Sequence, residues 1–260
     1  MSDSARGLAA VEARHVTVSY GTRPVVWDAD AFFPQGALSA VVGPNGSGKS
    51  TLLKACMGLV PLETGSVTIL GRPASTALGS VAYVPQSEEV DWDFPVTVRE
   101  VVEMGRYRSV GWIRRLRGGD RDAVDDALAR VGMTRYGDRQ IGQLSGGQRK
   151  RVFIARALAQ DAEILMLDEP FAGVDARTAG EILDLLAGLR DRAGRSVVLV
   201  HHDLATVRAA FDHAVLLNTR VVAQGPPADA LRPEMLRAAY GAASTLAVPT
   251  GPREERPWVP

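Results

Sequence analysis

The octapeptide Gly43-Pro44-Asn45-Gly46-Ser47-Gly48-Lys49-Ser50 constrains this chain more than any other feature, because of what flanks it. A short apolar run, residues 37–42, leads into it, and a helix-period stretch, residues 49–59, leads out. Strand, glycine-rich loop and helix therefore follow one another directly. Glycine lets the backbone curl until several N–H groups point at one anion, and the start of the helix adds the positive end of its dipole. The pattern predicts a phosphate cradle in which Lys49 reaches the terminal phosphates of a nucleotide, the Ser50 hydroxyl ligates Mg²⁺, and Thr51 closes the nucleotide-contacting run. The plainer alternative is a flexible turn, but chance supplies the four fixed positions about once in a hundred chains of this length.

The rest of the chain fits an α/β domain around that loop. Of 260 residues 46% are hydrophobic, enough to bury a sizeable core in one compact domain. Residues 16–20 and 25–33 carry apolar side chains at every second position, the period of half-buried strands, with a turn at 21–24. Short β-branched runs at 66–70, 81–84, 164–167, 197–200 and 214–217, several of them separated by helix-period segments, predict a mainly parallel sheet with helices on both faces. Between about 94 and 160 the strand signal gives way to three helix-like segments, 97–104, 120–131 and 146–159, which predict an inserted helical subdomain. Residues 1–10 and the tail 242–260, with four prolines among its last twelve residues, are expected to be mobile.

Charge and cysteine content narrow the class further. Thirty basic residues balance thirty acidic ones, so no strong field draws the whole molecule to nucleic acid or an anionic membrane. The basic stretch 106–121 is expected to be solvated helical surface without a function of its own. The single cysteine, Cys56, lies in an apolar helix pattern and reads as packing. With no leader-like N-terminus and no apolar run of the roughly 18 residues that a span requires, the chain is expected to be cytoplasmic, reaching a membrane only through another subunit.

A second constellation follows the run Ile164-Leu165-Met166-Leu167, which ends in Asp168-Glu169-Pro170. Buried parallel sheets expose functional residues at the C-terminal edge of their strands, where the phosphate loop also emerges. Asp168 is then expected to approach Mg²⁺, directly or through water, and Glu169 to lie where a water is activated beside the γ-phosphate. Two carboxylates capping the next helix are the alternative.

The pentapeptide Leu144-Ser145-Gly146-Gly147-Gln148 precedes a long helix, and phosphate-loop enzymes in general have nothing like it. Taken alone it reads as a helix start with Ser145 as N-cap. Together with the phosphate loop and the acidic strand, it makes residues 11–241 resemble the ATP-binding cassette family, whose signature is this pentapeptide. The resemblance implies an α/β fold of the P-loop NTPase (RecA-like) kind, with an N-terminal antiparallel β subdomain and an inserted α-helical subdomain, and it implies ATP hydrolysis with Mg²⁺. By the same resemblance Tyr20 matches the aromatic that stacks on adenine, although it could equally belong to the core. Gln86 matches the glutamine that approaches Mg²⁺ and the attacking water, and Asp175 the aspartate that communicates across a dimer. His202, placed before Asp203-Leu204, matches the switch histidine at the γ-phosphate, and its neighbour His201 would then face the other side of the strand.

In that family two nucleotide-binding subunits face head to tail, each ATP lying between one phosphate loop and the other subunit's signature. Ser145 and the Gly147 backbone would thus complete the γ-phosphate shell in trans. The stretch from Ser87 through Trp92 and Phe94 to Tyr107, with Leu-Asp-Glu-Pro-Phe-Ala-Gly-Val-Asp and Val-His-His-Asp-Leu, is similar to the manganese and zinc uptake subfamily, with iron-chelate importers as near neighbours. In cassette importers this segment forms the groove for a permease helix; Trp92 and Phe94 could alternatively be ordinary core. The resemblance implies a homodimer on the cytoplasmic face of the membrane, an integral-membrane permease and an extracytoplasmic metal-binding protein. It leaves a soluble cassette ATPase acting on nucleic acid as the competing class, with no nucleic acid expected. A degenerate cassette that only binds is disfavoured by the intact Lys49, Glu169 and His202.

Overall fold

The computed structural model describes residues 8–86, 94–111 and 116–241, so the expected mobile tail, most of the expected mobile N-terminus and Trp92 lie outside the described residues. In chain order the first half comprises β1 (Ala9–Tyr20), β2 (Arg23–Pro34), β3 (Leu38–Val42), α1 (Lys49–Cys56), β4 (Thr64–Ile69), β5 (Arg72–Pro73), α2 (Ala74–Ala77), β6 (Val81–Val84), α3 (Val98–Glu103), α4 (Tyr107–Val110) and α5 (Gly118–Arg130). There follow α6 (Gly146–Ala159), β7 (Ile164–Leu167), α7 (Ala176–Ala193), β8 (Ser196–Val200), α8 (Leu204–Ala210), β9 (His213–Asn218), β10 (Arg220–Gly225), α9 (Pro227–Ala230) and α10 (Pro233–Tyr240).

The larger sheet has the order β10-β9-β3-β8-β7-β6, parallel throughout except for the β9–β10 hairpin. Every residue of β3, β7 and β8 is buried, as expected where both faces are covered. The period of two sorts them. Leu38, Ala40, Leu165, Leu167, Val197 and Leu199 enter the core shared with the helical side, while Val41, Ile164, Met166, Val198 and Val200 enter the core beneath α1 and the smaller sheet.

The smaller sheet is antiparallel, with the order β2-β1-β4-β5. Two expectations shift here. β1 opens at Ala9, two residues ahead of the expected domain start. β4, whose apolar run had counted toward the parallel sheet, pairs antiparallel with β1 instead. Its first three residues are exposed and only Val67 and Ile69 are buried, the signature of a one-sided sheet.

In the inserted subdomain α3, α5 and α6 share one core through Val98, Val102, Val124, Leu128, Val152 and Ile154. Two of these helices start on reciprocal caps: Thr97 with Glu100 opens α3, and Ser145 with Gln148 opens α6. In the basic stretch Arg108, Arg117 and Arg121 are exposed as expected, whereas Arg106 is partly buried. Arg106 donates to Asp120 at 3.0–3.1 Å and to the Ala159 carbonyl at 2.9 Å, fastening α5 to the end of α6. Cys56 is fully buried and its thiol is pushed up to about 12, consistent with packing. No helix among the described residues is long and apolar enough to cross a membrane.

Candidate functional site

Four parallel strands deliver their C-terminal ends to one edge of the larger sheet, and the residues just beyond them form a cleft of about 440 Å³. β3 supplies the phosphate loop, β6 supplies Gln86, β7 supplies Asp168 and Glu169, and β8 supplies His201 and His202. The cleft is lined by Asn45 to Thr51, Gln86, Glu169 and His202, together with Val25 of β2, which the sequence reading did not single out.

Two of the loop's glycines, Gly43 and Gly48, leave no room for a side chain. Gly48 has φ 95°, and a Cβ on it would lie 2.6 Å from the Val25 carbonyl oxygen. At Gly43 the corresponding approach is 2.0 Å to the Leu217 carbonyl oxygen. Thr219, just past β9, donates its N–H to the Ser47 carbonyl at 2.9 Å. The Lys49 ammonium donates to the Gly43 and Pro44 carbonyls at 3.1 and 2.8 Å, folded over its own loop. Burial pulls its pKa below the ordinary lysine value, and the Glu169 and Asp168 carboxylates oppose that pull. A curled loop at a helix start with a buried ammonium above it fits a polyphosphate.

Beside it the Ser50 hydroxyl donates to Asp168 Oδ1 at 2.8 Å, and Asp168 is 1% exposed. A hydroxyl and a carboxylate in contact, with the Gln86 amide across the same cleft, make an all-oxygen donor set of the kind that suits Mg²⁺. Glu169 lies between two partners: His202 Nε2 is 2.8 Å from one carboxylate oxygen and Gln86 Nε2 donates to the other at 3.4 Å. A carboxylate so held can accept a proton from a water in the cleft.

The two adjacent histidines diverge as strand residues do. His202 faces the cleft, whereas His201 is buried between Phe171 and Phe211, with ring centroids 4.9 and 5.7 Å away. The Asp203 N–H donates to His201 Nδ1 at 3.0 Å, and burial lowers the pKa of that imidazole.

Ser145, Gly146, Gly147, Gln148 and Asp175 come together elsewhere, lining a second cavity of about 430 Å³ that shares no residue with the first. The Ser145 hydroxyl accepts from the Gln148 N–H at 3.4 Å, so this serine is also the helix cap that the plainer reading had it to be. Asp175 caps α7 by accepting from Thr178 N–H and Oγ1 at 3.0 and 2.8 Å, and those bonds hold its carboxyl below the usual aspartate range. Tyr20 is 58% exposed at the tip of the β1–β2 hairpin, which rules out the core alternative, and it is not among the cleft-lining residues. Phe94 is equally exposed and is not core.

Residues 28–172 match the family model described as ABC transporter. The zinc transport system ATP-binding protein TroB of Treponema pallidum (strain Nichols) is 50% identical over 248 residues, covering 95% of this chain and 92% of the relative. The manganese transport system ATP-binding protein MntB of Bacillus subtilis (strain 168) is 46% identical over 236 residues, covering 91% and 94%. Among solved structures, a dimeric ATP-binding cassette in a post-hydrolysis state bound to ADP and Pi superposes with a TM-score of 0.73 at 26% identity, covering 84% of this chain and 98% of that one. With a phosphate cradle, an adjoining carboxylate pair and this similarity along nearly its whole length, the chain belongs to the ABC transporter family, as an ATP-binding cassette that hydrolyses ATP.

Proposed function

We propose that this cassette powers the uptake of a transition-metal ion, manganese or zinc, as one of two identical ATPase subunits seated on the cytoplasmic face of an integral-membrane permease. An extracytoplasmic metal-binding protein supplies the cargo, and no nucleic acid takes part. The reading draws its cargo from the likeness to the zinc and manganese transport proteins. Its chemistry rests on one observation above others: the Glu169 carboxylate is held between His202 and Gln86 at the mouth of the phosphate cleft.

In this reading the loop from Gly43 to Thr51 grips the phosphates, Lys49 swings from its own carbonyls onto the β- and γ-phosphates, and Tyr20 stacks on adenine. Ser50 and Asp168, with Gln86, hold Mg²⁺, which when bound neutralises charge on the phosphate oxygens. Glu169 takes the proton of the attacking water, and His202 contacts the γ-phosphate. Ser145 to Gln148 and Asp175 serve the nucleotide of the partner subunit, since on one chain they line a separate cavity. Two copies arranged head to tail join the halves, and closure around ATP moves the permease.

The test is ATPase activity in membranes that contain the cassette, its permease and the binding protein, with Mn²⁺, Zn²⁺ or an Fe³⁺-chelate added in turn. Stimulation by Mn²⁺ or Zn²⁺ is expected. Hydrolysis indifferent to the permease and to every metal contradicts the uptake reading.

A further inference from the structure

Lys150 lies two residues beyond Gln148 on α6 and is 7% exposed, yet it makes no ion pair among the described residues. Its ammonium donates to the Glu169 carbonyl at 3.1 Å and, in a shorter bond, to the Ala172 carbonyl. Burial pulls its pKa below the ordinary lysine value, and the opposing charge is the Glu169 carboxylate. A side chain needed only to fill space would carry no charge here, because an apolar side chain of similar length fills the same volume without desolvating an ammonium.

The residue it grips is itself unusual. Glu169 adopts a left-handed backbone, φ 49°, which a side chain other than glycine seldom takes. Such conformations persist where the surroundings over-determine them. Two donors hold its carbonyl: the Ala172 N–H at 3.2 Å and the Lys150 ammonium at 3.1 Å. Extended backbone at this position would turn the carboxylate away from His202 and Gln86.

We propose that Lys150 is a positioning residue for ATP hydrolysis: tethering the Glu169 carbonyl to α6, it holds the left-handed backbone that aims the Glu169 carboxylate into the cleft. The proposal rests on the reading of Glu169 as the group that takes the water's proton. Because Ser145 caps α6, the tether also ties the signature segment to that carboxylate, so a shift of α6 when two cassettes close is transmitted to the base.

The experiment compares Lys150→Met, Lys150→Arg and Glu169→Gln in the purified full chain, measuring kcat, ATP affinity by calorimetry and Tm. Lys150→Met is expected to lower kcat by about 10- to 100-fold, the scale of an ångström's misplacement, with ATP affinity within about twofold of wild type and Lys150→Arg restoring most of the rate. Should Lys150→Met fail to fold, Lys150→Gln is read by the same split. A kcat within about twofold of wild type, set beside a Glu169→Gln that has lost turnover, overturns the role of Lys150 alone. Parallel losses of kcat, ATP affinity and Tm with no rescue by arginine assign Lys150 a merely structural place and overturn it too. Near-normal turnover in Glu169→Gln removes the base assignment and this proposal with it.

Discussion

His213, the first residue of β9, is 7% exposed, and its Nδ1 finds no hydrogen-bond partner among the described residues. Burial drives its pKa from near 6.5 down to about 4, against a weaker upward pull from Asp212. In the unfolded chain the imidazole takes up a proton near 6.5, so between there and about 4 the unfolded state binds more protons than the native one. The neutral histidine's contribution is therefore fully present above pH 6.5 and is lost as pH falls toward 4, amounting to about 3 kcal/mol at most. Replacing His213 by Leu should flatten the fall of Tm between pH 6.5 and 4.5, and an unchanged slope in the variant would contradict this. At the same scale His201 and His202 show how far neighbours can differ. Their spacing to Asp203 singles out His202, and alternation along the strand sends His201 into the core.

Among the elements, the strands of the larger sheet were legible because burial on both faces demands unbroken apolar runs: residues 81–84 and 164–167 match β6 and β7 residue for residue. β10 was not. It is half-buried along most of its length and follows a turn at Thr219 with φ 59° and no glycine, so neither periodicity nor turn chemistry announces it. The site residues at strand ends were legible for the same reason as the strands, since a motif that interrupts a buried run must emerge at the sheet's edge. Lys150 had no such signal, because its partners are backbone groups distant in sequence. α10 is tied to the sheet where the Asn218 side chain donates to the Ala239 carbonyl at 2.8 Å.

The whole molecule carries two half-sites that do not meet. The phosphate cleft and the signature cavity are lined by different residues, which a single catalytic centre would not require. The proposed head-to-tail pair unites them, and a dimeric cassette is among the solved structures similar to this chain. On this account ATP binding draws the copies together and Glu169 then ends the closed state by activating water. The most direct test is Glu169→Gln in the purified chain with Mg²⁺ and ATP, following turnover and, by light scattering, molecular mass. Turnover should fall by at least about a hundredfold, as loss of a general base does, while ATP stays bound and the mass doubles. Near-normal turnover in a protein that remains a monomer with ATP would contradict the account.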